Sequence, residues 1–139
     1  MGKLNCILLI DDDGTANFIN CRIVKKLEIS DRIEMVMNGE KALNFIQYYA
    51  DTNDGECPEL IFLDLNMPVL DGFEFLEYFY RKAFSNKEKI KIYILTTSSY
   101  QRDMDIIKKY PNLQYIIKPL TEEKLIEVLS PDVKLSGEQ

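Results

Sequence analysis

Leu60-Ile61-Phe62-Leu63-Asp64-Leu65-Asn66-Met67-Pro68, followed by Asp71-Gly72, is an apolar run that ends in an acid, then a proline and a turn. A run of this length and composition predicts a buried strand, and an ionised carboxylate directly after one is costly to place unless a cation meets it. The same pattern occurs earlier: Cys6-Ile7-Leu8-Leu9-Ile10 leads straight into Asp11-Asp12-Asp13. Two strands that each end in acid call for a shared chemical reason.

Outward from these two runs, short apolar stretches alternate with helical periodicity. A strand is expected over Leu4 to Ile10, then a helix over Ala16 to Leu27 with Ile19, Ile23, Val24 and Leu27 on one inward stripe. Ile33 to Met37 reads as a strand ended by Asn38-Gly39, and Glu40 to Tyr49 as a helix with Ala42, Leu43, Ile46 and Tyr49 inward. Asp51-Thr52-Asn53-Asp54-Gly55 reads as a polar loop before the strand ending at Asp64. Phe73, Leu76, Phe79 and Tyr80 mark a third helix with a core stripe, followed by a solvated loop over Ser85 to Lys89. Ile90 to Leu95 predicts a strand, Arg102 to Tyr110 a helix stopped by Pro111, and Leu113 to Ile117 a strand. The last helix starts at Thr121, with Glu122 and Glu123 in its first turn and Leu125, Ile126, Val128 and Leu129 inward.

A βα unit repeated about five times predicts an α/β fold, a doubly wound parallel sheet of five strands covered by helices on both faces. In the flavodoxin-like strand order, 2-1-3-4-5, the first and third strands are neighbours at the point where the order reverses, and ligands bind beyond the strand ends there. That order brings Asp11, Asp12 and Asp64 together, with Thr96 ending the fourth strand and Lys118 the fifth.

The composition narrows the function. The 139 residues are the size of one domain, expected over 1–130, with 131–139 a short tail. Hydrophobic residues at 46% and charged residues at 29% fit a soluble globular chain, and no apolar run approaches the roughly 20 residues of a membrane helix. The first strand begins so near Met1 that no signal peptide fits before it, so a cytoplasmic address is expected. A net charge of −6 opposes binding to nucleic acid. Cys6, Cys21 and Cys57 have no CxxC spacing and read as reduced thiols, two of them core filler. The chain contains no histidine, which removes His-based acid–base catalysis, His metal ligands and a His phosphocarrier. Chemistry here must run on carboxylates, hydroxyls and lysine.

Three crowded carboxylates raise each other's pKa and need a cation, and an all-oxygen donor set suits Mg²⁺, with Mn²⁺ a similar fit. Lys118 adds a positive charge. A polyoxygen anion between metal, lysine amine and the Thr96 hydroxyl would meet the electrostatic clamp that phosphoryl transfer requires, with Asp64 as the nucleophile that forms an aspartyl-phosphate.

Asp11-Asp12, Leu63-Asp64-Leu65-Asn66-Met67-Pro68, Asp71-Gly72, Leu95-Thr96-Thr97 and Lys118-Pro119 together resemble the receiver domain of bacterial two-component response regulators, of the single-domain chemotaxis-regulator type, over Leu4 to about Leu129. The resemblance implies that Asp64 accepts a phosphoryl group from the phosphohistidine of a sensor histidine kinase or phosphotransfer protein. It implies that Asp12 and Asp64 ligate Mg²⁺ directly, that Asp11 acts through a water, and that Asn66 gives its backbone carbonyl. Thr96 and Lys118 would hold the phosphoryl oxygens, the Lys118-Pro119 bond would be cis, and Tyr115 would be the switch aromatic, altering the fourth helix, fifth strand and fifth helix for a downstream protein target. Asn66 and Ser98 would tune dephosphorylation. By the same resemblance the chain is expected to be no enzyme beyond assisting its own phosphorylation and dephosphorylation and to work as a monomer or weak homodimer, while its charge and apolar runs predict that it binds neither nucleic acid nor membrane. With only Ser130 to Gln139 after the stretch that carries the resemblance, output by docking a partner is expected.

Some residues depart from the pattern: Tyr110-Pro111-Asn112-Leu113 replaces a small Gly-Ala pair, the loop from Ala50 to Pro58 is long, and Asp13 extends the acidic pair. Taken singly, the site residues have plainer readings: Asp11 to Asp13 as a turn capping the next helix, Thr96 as a β-branched strand residue, Lys118 as a solvated charge and Tyr115 as strand packing. A haloacid-dehalogenase-like phosphatase would need a second acid where Asn66 stands. A flavodoxin-like FMN site would need hydroxyls and amides where Asp11 to Asp13 repel phosphate. A receiver-like binding module that is never phosphorylated is the remaining rival.

Overall fold

Strands β1 (Ile7–Ile10) and β3 (Leu60–Asp64) are buried at every position, as central strands covered on both faces must be. In the computed structural model, residues 4, 6–52, 58–65, 71–81, 90–97, 101–110 and 113–129 are described. They form α1 (Gly14–Lys26), β2 (Ile33–Val36), α2 (Gly39–Thr52), α3 (Gly72–Arg81), β4 (Lys91–Thr96), α4 (Gln101–Lys108), β5 (Leu113–Ile117) and α5 (Glu122–Leu129) around β1 and β3. All strand pairs are parallel, in the order β2-β1-β3-β4-β5. The expected doubly wound, flavodoxin-like sheet is the one observed.

Alternation along the strands sends side chains to opposite faces and sorts the core into two layers. Leu8, Ile10, Ile61, Leu63, Ile92 and Ile94 pack with α2, α3 and α4, through Ala42, Ile46, Phe75, Leu76, Phe79 and Ile107. Ile7, Leu9, Leu60, Phe62, Tyr93 and Leu95 pack with α1 and α5, through Cys21, Val24, Leu125 and Leu129. Each fully buried Leu, Ile or Phe contributes roughly 1.5–3 kcal/mol relative to exposure.

The helix boundaries follow from local capping. Asp13 is the N-cap of α1, its carboxylate accepting from the Thr15 N–H at 2.9 Å, so the helix begins two residues before the expected Ala16. Asn38 takes the same part for α2, accepting from Lys41 N–H at 2.8 Å. Asp71 and Glu74 close a reciprocal capping box at the start of α3, both bonds 2.9 Å long. Thr121 caps α5 through Lys124 N–H at 3.2 Å.

Several expectations need correction. The stripe that α1 buries is Asn17, Asn20, Cys21 and Val24, while Ile19 is 51% exposed. Val24 is buried and Ile23 and Leu27 pack against the same core layer, so only Ile19 falls outside the expected stripe, and Asn17 and Asn20 are buried besides. Ile126 also points outward, since α5 is held through Leu125 and Leu129, one turn apart. Asp51 and Thr52 belong to α2, not to a loop. Leu4 joins Ser30 by an isolated bridge, so β1 proper starts at Ile7. Helix α4 ends at Lys108, followed by tight turn bonds from Lys109 to Ile106 and from Tyr110 to Ile107. Cys6 and Cys21 are buried as expected. Cys57, Pro111, the expected loops over 53–55 and 85–89 and the tail 131–139 lie outside the described residues.

Candidate functional site

The carboxyl ends of β1 and β3 are adjacent, because Ile10 pairs with Leu63, and each is followed or ended by acid. One carboxylate oxygen from each of Asp11, Asp12 and Asp64 lies within 4.8 Å of the others. Asp11 and Asp64 are buried, at 3% and 5% exposure, whereas Asp12 is exposed. The sequence predicted this convergence, and the sheet order produces it.

Lys118 enters from the end of β5. Its backbone N–H donates to the Thr96 carbonyl at 2.8 Å, and the Lys118-Pro119 bond is cis. Its Nζ donates to Asp64 Oδ1 at 3.1 Å and forms an ion pair with Asp11 Oδ2 at 3.5 Å. That pair lacks hydrogen-bond geometry, so Asp11 Oδ2 is buried without a hydrogen-bond donor. The other oxygen, Oδ1, accepts from the Asp13 N–H at 2.9 Å.

Burial pushes the Asp11 carboxyl above its ordinary range, and the Asp12 charge adds to this against the opposing effects of the Asp13 N–H and Lys118. For Lys118, burial alone would lower the pKa, but the charges of Asp64 and Asp11 and the hydrogen bond to Asp64 outweigh it and the ammonium is held above its usual value. Three carboxylates therefore face one firmly protonated amine, and a buried carboxylate oxygen still lacks a donor. An all-oxygen set in that condition fits a hard divalent cation.

Thr96, the last residue of β4, is buried, and Asp64 is in register with Leu95, so Thr96 stands one residue beyond the end of β3. Tyr115 pairs with Ile94 and is 45% exposed, outside the cluster of acids and lysine. Asn66, Met67, Pro68 and Ser98 lie outside the described residues.

Two contributors were not read from the sequence as part of the site. Gly72 donates its N–H to the Leu65 carbonyl at 2.9 Å, and a Cβ there would meet Leu65 Cα at 2.7 Å and the Asp64 carbonyl at 2.9 Å. Only a glycine permits α3 to start this close to the end of β3. Lys124 Nζ donates to the carbonyls of Ile117 and Pro119, at 2.7 and 3.0 Å, bracketing Lys118. The Asp71-Gly72 pair was visible as a signal; Lys124 looked like any helix-surface lysine.

Comparison with known proteins agrees with this geometry. Residues 7–130 match the family model of the response regulator receiver domain. A probable methanogenesis regulatory protein, FilR2 of Methanothrix harundinacea, is 31% identical over 86% of this chain and 75% of its own length. The chemotaxis protein CheY of Listeria monocytogenes is 29% identical over 92% of this chain and 98% of its own. Among solved structures, a two-component response regulator from Cytophaga hutchinsonii superposes with a TM-score of 0.82 at 29% identity, covering 93% of this chain and 96% of that one. No described helix is long and apolar enough to cross a membrane. With the family matched over nearly its whole length, the chain belongs to the response regulator receiver domains of two-component signalling.

Proposed function

We propose that Asp64 is the phosphoacceptor, taking a phosphoryl group from the phosphohistidine of a histidine kinase or phosphotransfer protein. The observation that carries the reading is the ammonium of Lys118, 3.1 Å from Asp64 Oδ1, amid carboxylate oxygens of Asp11, Asp12 and Asp64 that lie within 4.8 Å of one another. An Asp64 oxygen attacks phosphorus, the donor's P–N bond breaks and an O–P bond forms, and the departing imidazole leaves with its electron pair. Lys118 shifts from the bare carboxylate to a phosphoryl oxygen, and the Thr96 hydroxyl donates to another. Asp11, Asp12 and Asp64, with the Asn66 carbonyl, would hold Mg²⁺, which offsets the negative charge that gathers as the anion approaches.

Thr96 and Tyr115 then carry the signal outward. Movement of Thr96 toward the phosphoryl group leaves room for the Tyr115 ring, exposed on β5 in this structure, to turn inward and change the surface offered by α4, β5 and α5 to a protein target. Incubation with acetyl phosphate and Mg²⁺ tests the chemistry. Intact mass is expected to rise by one phosphoryl group in wild type and to stay unchanged in Asp64→Asn; equal labelling of both proteins sinks the assignment.

A further inference from the structure

Helix α1 buries an asparagine where an apolar residue would pack more cheaply. Asn17 is 2% exposed, and its Nδ2 donates to the Asp11 carbonyl at 3.0 Å and to the Val36 carbonyl at 3.2 Å, with the Met37 Sδ at 3.8 Å. Two carbonyl acceptors fix which end of the amide faces the loop. Its Oδ1 is buried with no hydrogen-bond partner. A half-satisfied buried amide is unfavourable for stability, so generic packing does not account for this residue. The donation from Nδ2 does.

The Asp11 carbonyl belongs to the peptide that joins Asp11 to Asp12. The Asp11 N–H is already tied to the Val36 carbonyl at 3.2 Å, and Asp11 Oδ1 to the Asp13 N–H. Holding the carbonyl as well fixes the orientation of that peptide plane, and with it the direction in which the next side chain leaves the backbone. Asp12 needs this external control: its carboxylate is exposed and has no hydrogen-bond partner among the described residues.

We propose that Asn17 is a positioning residue for the acidic pocket, clamping the Asp11–Asp12 peptide to the end of β2 so that both carboxylates converge on Asp64. The inference rests on the reading of the pocket as a divalent-cation site, and it assigns to α1 a share in metal affinity. Loss of an outer partner of a metal ligand typically weakens binding 10- to 100-fold.

The test is Mg²⁺ alone, titrated by calorimetry into wild type, Asn17→Ala and Asn17→Ser, with thermal melts of each at zero and saturating Mg²⁺. About tenfold weaker Mg²⁺ binding in Asn17→Ala, with a smaller metal-induced rise in Tm, is the expected result. Asn17→Ser, which keeps one donor, is expected between the two, and it stands in if the alanine variant does not fold. A purely structural asparagine predicts otherwise: metal-free melts fall, yet Mg²⁺ affinity stays within twofold of wild type, and that outcome overturns the proposal. If wild type shows no Mg²⁺ binding, the pocket reading itself fails, which is a distinguishable result.

Discussion

Strands β3 and β5 supply the two ends of one ion pair, Asp64 and Lys118, yet they are built differently. β3 is buried at all its positions; β5, the edge strand, is buried at Leu113 and Ile116 and exposed at Gln114, Tyr115 and Ile117. A central strand can hold a carboxylate rigidly and away from water, where electrostatic interactions are strong. An edge strand can show side chains to a partner. Buried charge thus sits at the centre of the sheet and exposed surface at its rim, with Lys118 reaching from one to the other.

Lys118→Met tests whether the centre depends on that reach. It removes the ammonium that faces Asp11 and Asp64, and the metal-free protein is expected to lose about 3 kcal/mol of stability in denaturant melts. Mg²⁺ should bind more tightly to this variant, because the ammonium no longer competes for the carboxylates. Weaker Mg²⁺ binding would mean that Lys118 organises the acids instead of opposing the metal.

Asp11→Asn asks how much the centre suffers from its own charge. Asp11 titrates above its ordinary value when folded, so the folded state binds more protons than the unfolded state across that window. The stability linked to this group is present below the unfolded value of 3.8 and is lost as pH rises through the folded value. Removing the charge should therefore stabilise the metal-free protein at neutral pH, with the gain fading as pH falls through the folded value and gone below the unfolded one. A variant less stable than wild type at neutral pH would show that the Lys118 contact outweighs burial.

Tyr115→Ala probes the rim. At an exposed edge position, stability should change by less than about 0.5 kcal/mol. Mg²⁺ affinity should hold within about twofold of wild type, since a contact absent from the pocket cannot weaken it. A larger change in Mg²⁺ binding would erase the division between centre and rim.

The parallel sheet was legible because apolar strands alternate with helical spacing, and the flavodoxin-like order was the one that brought its two acid-ended strands together. The pocket followed from that order, as Asp11, Asp12, Asp64 and Lys118 could be placed at strand ends before any distance was known. What stayed hidden depended on phase and contact. Ile19 shares the apolar spacing of Ile23, Val24 and Leu27 yet is exposed, while Asn17, polar in the sequence, is buried for a hydrogen bond that no spacing announces. The cap at Asp13 shows that the plainer reading of the acidic triplet was also right for one of its members. Lys124 gave no warning, because a lysine that seats its amine on turn carbonyls has the same spacing as one in solvent.

Position 72 has room for a hydrogen and nothing larger. Surveys that judge a receiver intact from its aspartates and lysine alone would pass a homologue carrying alanine there. Such a chain can keep every charged group and still have its third helix pushed off the strand that ends in Asp64, so the shape of the pocket depends on residue 72 as well as on its acids.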